Sequence, residues 1–68
     1  MDKDIYDYYA GVIKLVGEIM NIDGVHAAKI VKRSFFKKFL KKHSDTVLEE
    51  PAIRWAYEIL CLDGALIW

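Results

Sequence analysis

The sequence predicts an all-α domain, a small bundle of four short helices at about 4–20, 25–33, 35–43 and 51–61. Three observations carry that expectation. Apolar residues recur at spacings of three and four, and no segment sustains the alternation of a strand. Polar or glycine-containing stops separate the periodic stretches, at Asn21-Ile22-Asp23-Gly24, Ser44-Asp45-Thr46 and Asp63-Gly64. The apolar stripe also changes phase at Ser34, which demands a break there. With 54% hydrophobic and 29% charged residues the chain is no disordered linker. Its 68 residues are expected to form one domain with an apolar C-terminal tail at 65–68. A chain this short buries only about 60% of the surface it exposes when unfolded, so a partner would stabilise it.

The first helix is the clearest. Ile5, Tyr8, Tyr9, Val12, Ile13, Leu15, Val16, Ile19 and Met20 fall on one side, with Asp7, Lys14 and Glu18 opposite. Asp2 or Asp4 can cap its start, and acids in a first turn suit the helix dipole. Gly11 and Gly17 each cost about 1 kcal/mol relative to Ala in a helix interior. Either offers room for close approach of another helix. Asn21 and Gly24 tolerate the left-handed conformation needed to stop the helix, and Asp23 can cap the next one.

The basic stretch from 25 to 43 reads as two helices. Ala27, Ala28, Ile30 and Val31 share one arc, with His26, Lys29, Lys32 and Arg33 opposite. Phe35, Phe36, Phe39, Leu40 and His43 share another, with Lys37, Lys38, Lys41 and Lys42 opposite. In one straight helix the two arcs would be offset by about 120°, so a single core could not receive both. A kink at Ser34 resolves the conflict.

Ser44-Asp45-Thr46 reads as a polar turn, with Val47 and Leu48 tucking into the core from an irregular segment. Pro51 suits the first turn of the last helix, where its missing N–H costs little. Ala52, Ile53, Trp55, Ala56, Tyr57, Ile59, Leu60 and Cys61 make that helix apolar over most of its circumference. Arg54 and Glu58 stand clear at the spacing of a weak pair. This helix is expected at the centre. Ile53, Trp55, Ala56, Tyr57 and Leu60 would pack on Val12, Val16, Ile30, Val31, Phe35 and Phe39.

Charge is segregated along the chain although it sums to zero. Residues 1–28 balance to −3 and residues 44–68 to −4, whereas residues 29–43 carry +7 with no acid. Seven like charges so close repel one another unless the acidic flanks or an external anion meet them.

Chemistry is sparse. His26, His43 and Cys61 are the soft-ligand candidates, and none has zinc-motif spacing, so no metal is expected. His43 lies on the apolar arc and reads as a partly buried core histidine. Cys61 lies in the most apolar helix, where a thiol would stay protonated and inert. Ser34 and Ser44 have no evident base. Glu49 and Glu50 precede Pro51 and read as dipole partners of the helix that follows. The four glycines are scattered, which excludes a phosphate loop. No enzyme activity, cofactor or small-molecule substrate is therefore expected.

Binding is the remaining class. The candidate contacts are Lys29, Lys32, Arg33, Lys37, Lys38, Lys41 and Lys42. Another candidate is an apolar interface at Leu66, Ile67 and Trp68, because a free apolar tail is unfavourable in water. The leading expectation is a protein partner or a second copy of the chain, making a homo-oligomer such as a dimer. The alternative is nucleic acid bound through the basic segment 29–42. Six of its seven cations are Lys, which neutralise phosphate but do not read bases bidentately. A membrane surface is disfavoured: residues 34–43 resemble a cationic interfacial helix, but their phenylalanines are needed in the core. No apolar run approaches the roughly 20 residues of a span, and the acidic, aromatic start does not read as a signal peptide. A cytoplasmic protein is expected.

The pattern Ile22-x-Gly24, Ile30-x-Lys32-Arg33 and Phe39-Leu40, with Asp45 five residues further on, resembles a family of small bacterial helical domains of unknown function. Its members tend to be encoded beside toxin-like genes. The similarity covers about residues 12–60 and is ungapped through Asp45. The family's chain is also broken after its Lys-Lys/Arg pair. It then departs: the family follows the Asp with a Leu-His-Thr run and a Gly, where this chain reads Thr46-Val47-Leu48-Glu49-Glu50-Pro51. No role tied to that His transfers. The resemblance implies a small cytoplasmic interaction module, antitoxin-like, without known catalysis and without functional residues to carry over.

Overall fold

The computed structural model describes residues 3–62. Among them five α-helices follow one another: α1 (Lys3–Met20), α2 (Gly24–Arg33), α3 (Phe36–Lys42), α4 (Ser44–Glu49) and α5 (Ala52–Leu62). Four lie close to their expected bounds. The fifth, α4, corrects the reading of residues 44–49 as irregular. It is only six residues long and mostly polar, too short for a helical period to show. Val47 is nevertheless fully buried, as expected of it.

Each boundary has a local cause. Asn21 takes the left-handed conformation, with φ of 55°. Its N–H donates to the Glu18 carbonyl and that of Ile22 to the Gly17 carbonyl, closing α1 with a Schellman motif. Gly17 serves this turn directly. A Cβ there would lie 3.2 Å from the Ile22 carbonyl oxygen and 3.5 Å from the Ala27 Cβ, so α2 can approach closely. Gly11 meets nothing comparable. Asp23 then caps α2 by accepting the His26 N–H at 2.8 Å.

The break between α2 and α3 falls at Ser34 and Phe35. Ser34 is extended, with ψ of 173°. Its hydroxyl donates to the Val31 carbonyl at 2.6 Å and accepts the Phe36 N–H at 3.2 Å. One side chain therefore ends one helix and begins the next, where α3 otherwise lacks a side-chain cap.

His43 joins α3 to α4: its N–H donates to the Phe39 carbonyl and its own carbonyl accepts the Val47 N–H. Pro51 precedes α5 by one residue, and its carbonyl accepts the Arg54 N–H.

The hub is α1, not the last helix as expected. It packs mainly on α5 and α2 and also meets α4. The core holds Val12, Val16, Ala27, Val31, Phe36, Leu40, Val47, Trp55, Ala56, Ile59 and Leu60. Ile30, Phe35 and Phe39 are partly buried against it. Ile53 and Tyr57, expected in the core, are each 41% exposed. Ile59 occupies the buried side instead, because α5 turns it and Leu60 inward with Trp55 and Ala56.

Aromatic rings dominate the far half of the core. Phe36 stacks on Tyr9 with centroids 6.1 Å apart and lies 5.8 Å from Trp55. Trp55 donates its indole N–H to the Val47 carbonyl at 3.2 Å, satisfying the polar edge of a buried ring. Tyr8 donates its hydroxyl to the Glu50 carbonyl at 2.5 Å, tying α1 to the α4–α5 corner.

Candidate interaction surfaces

The two basic helices expose their cations for the same reason. On α2, Ala27 and Val31 are buried, which turns Lys29, Lys32 and Arg33 outward and leaves all three exposed. On α3, Phe36 and Leu40 are buried. Lys38, Lys41 and Lys42 are exposed as a result, and Lys37 is partly covered. The cations of each helix share its outer face. Among the described residues the ion pairs are Asp23 with His26 and Glu50 with Arg54, and no acid is paired with any of the six lysines. Lys32 and Arg33 end α2, and Lys41 and Lys42 end α3, where cations complement the carbonyl end of the helix dipole.

Three other expectations need correction. His43 is exposed rather than core, although its ring packs at 5.0 Å from that of Phe39. It ends α3 and begins α4, and the change of direction carries it off the apolar arc. Cys61 is also exposed, on the outer side of α5. Arg54 pairs at 2.8 Å with Glu50 rather than with Glu58, and its guanidinium lies 5.3 Å from the Trp55 ring centre.

The outer side of α5 is a second surface, unread in the sequence. Ile53, Tyr57, Cys61 and Leu62 are all exposed there, Leu62 to 70%. Arg54 and Glu58 stand among them, and with Tyr57, Cys61 and Leu62 they line a shallow hollow. The signal that could have found it was the all-round apolarity of the helix: one core cannot cover every side. The other apolar candidate, Leu66, Ile67 and Trp68 in the tail 65–68, lies outside the described residues, as does the Asp63-Gly64 stop.

The titratable groups with displaced pKa values serve structure. Asp23 is held below the usual carboxylate range, first by the His26 backbone N–H and then by the His26 ring. Burial pushes the Tyr8 and Tyr9 phenols up; for Tyr8, Trp55 acts the other way and the Glu50 carboxylate adds to the rise. Among the described residues, no group of three His, Cys, Asp or Glu is placed to hold a metal ion. No helix among them is long and apolar enough to cross a membrane.

Comparison with protein-family models, with curated proteins and with solved structures finds no match to this chain.

Proposed function

We propose that this protein is a non-enzymatic interaction or regulatory module that presents its basic face to an acidic partner protein. One observation carries the reading. Six lysines of α2 and α3 stand outward on short helices with no paired acid among the described residues. Like charges so close raise the energy of the folded state, and an acidic partner would relieve that repulsion and steer its own approach. The sequence resemblance supports an antitoxin-like role. The buried positions of Phe36 and Leu40 argue against a membrane-surface role, since inserting them into lipid would dismantle the core.

The same lysines favour nucleic acid as the second reading, because phosphate neutralisation needs charge and not bidentate geometry. A titration separates the two. Tryptophan fluorescence, from Trp55 and Trp68 together, is followed as an acidic polypeptide and a generic duplex are added at low and high salt. The interaction reading expects binding to the acidic polypeptide that is lost when Lys37, Lys38, Lys41 and Lys42 are all changed to Gln. Salt-sensitive binding of duplex alone would transfer the basic face to nucleic acid.

A further inference from the structure

We infer that the outer side of α5 is the contact between two copies of this chain, paired antiparallel about a two-fold axis beside Tyr57. This deepens the proposed interaction module and rests on it: the basic face meets the partner, while α5 makes the module a dimer.

The pattern of charge on α5 selects a second copy. Trp55, Ala56, Ile59 and Leu60 face the core, leaving Ile53, Arg54, Tyr57, Glu58, Cys61 and Leu62 outward. This face is mostly apolar, with one cation and one anion four residues apart. A helix rises about 1.5 Å per residue, so Arg54 lies about 4.5 Å before Tyr57 and Glu58 about 1.5 Å after it. When an antiparallel copy is laid across Tyr57, Arg54 of one chain comes within about 3 Å, along the axis, of Glu58 of the other. The two-fold makes that pair twice, both on one edge of the contact. Ile53 and Tyr57 lie along the other edge and cover each other's apolar surface. A parallel copy would set Arg54 beside Arg54 and Glu58 beside Glu58, which is repulsive.

Arg54 already holds Glu50 and still has guanidinium donors to spare. The Glu58 carboxylate makes no hydrogen bond or ion pair among the described residues, so the partner's Arg54 would be its counter-charge. Tyr57 supplies the large, stiff aromatic surface that protein contacts favour.

The test uses the whole chain, with its mass followed across concentration by light scattering and sedimentation. The parent chain is expected to be a dimer. Arg54→Glu and Glu58→Arg are each expected to weaken the dimer at least about tenfold through like-charge repulsion, with unchanged helical circular dichroism. Mixing the two variants one to one should restore a dimer, because every cross-pair is then of opposite charge. Restoration on mixing cannot arise from damage to the fold. A parent chain that stays monomeric at all concentrations, its α5 bare or covered by its own chain, would overturn the inference. So would variants that dimerise like the parent, or a mixture that does not recover. A monomer that still binds the acidic polypeptide would sink the α5 contact and spare the module reading; a dimer that ignores the polypeptide would do the reverse.

Discussion

Helices α2 and α3 are neighbours, both basic and both turned lysine-side out, yet they are held by different means. The ten residues of α2 are capped at both ends, by Asp23 and by Ser34. It buries only Ala27 and Val31, small side chains that suit the close approach allowed at Gly17. The seven residues of α3 include four lysines and no side-chain cap from Phe35. Such a segment would not be helical alone, since a short helix cannot offset its nucleation cost. Phe36 and Leu40 hold it in the core, with Phe36 enclosed by Tyr9, Phe35 and Trp55. Locally encoded structure carries one basic helix, and tertiary aromatic packing carries the other. The charge that makes α3 a good binding surface is thus tolerated through a few rings on its opposite side.

The largest expected effect breaks α3 at its anchor. Phe36 is fully buried, and Phe36→Ala should cost about 3–5 kcal/mol. A domain of this size has only about 3–10 kcal/mol in total, so much of the population should unfold. Urea denaturation followed by circular dichroism measures this. A loss below about 1 kcal/mol would show that the rings do not anchor α3.

A smaller change acts on the joint between the helices. Ser34→Ala removes the hydroxyl bonds to Val31 and Phe36 and should cost about 1–2 kcal/mol. Amide exchange should rise most at Phe36 and the first turn of α3. Exchange rising equally across α2 would mean that the two helices share one source of stability.

The mildest perturbation addresses α2 alone. Asp23→Ala should lower the melting temperature at neutral pH. The Asp23 carboxyl has a pKa in the folded state below its ordinary 3.8, so its contribution is present above that value and is lost as pH falls through the lower folded value. Melts of parent and variant should therefore converge in acid. A gap that persists undiminished in strong acid would assign the effect to something other than the charged cap.

Much of this architecture was legible. Asn21, Asp23 and Ser34 act through their own side chains or their own φ on groups a few residues away, so composition and spacing reveal them. The outward direction of the seven cations follows from the same wheel arithmetic that places Val31, Phe36 and Leu40 inward. The short α4 was not legible, because Val47 is its single fully buried residue and one point defines no period. His43 misled for a related reason: its apparent place on the arc of α3 presumed that the helix continued, whereas the chain turns there into α4.

The amino-acid order alone settled the bends at Asn21 and Ser34 and which faces are charged, since caps, left-handed turns and phase are local properties. Only the assembled molecule chose the side of α5 that is buried. That helix is apolar nearly all round, so several orientations would bury similar area. The choice fell to features distant in sequence: the surface offered by α1 and the Val47 carbonyl that accepts the Trp55 N–H. With Trp55, Ile59 and Leu60 turned inward, Ile53 and Tyr57 were left facing out. The dimer face we infer is thus a product of packing and not of pattern.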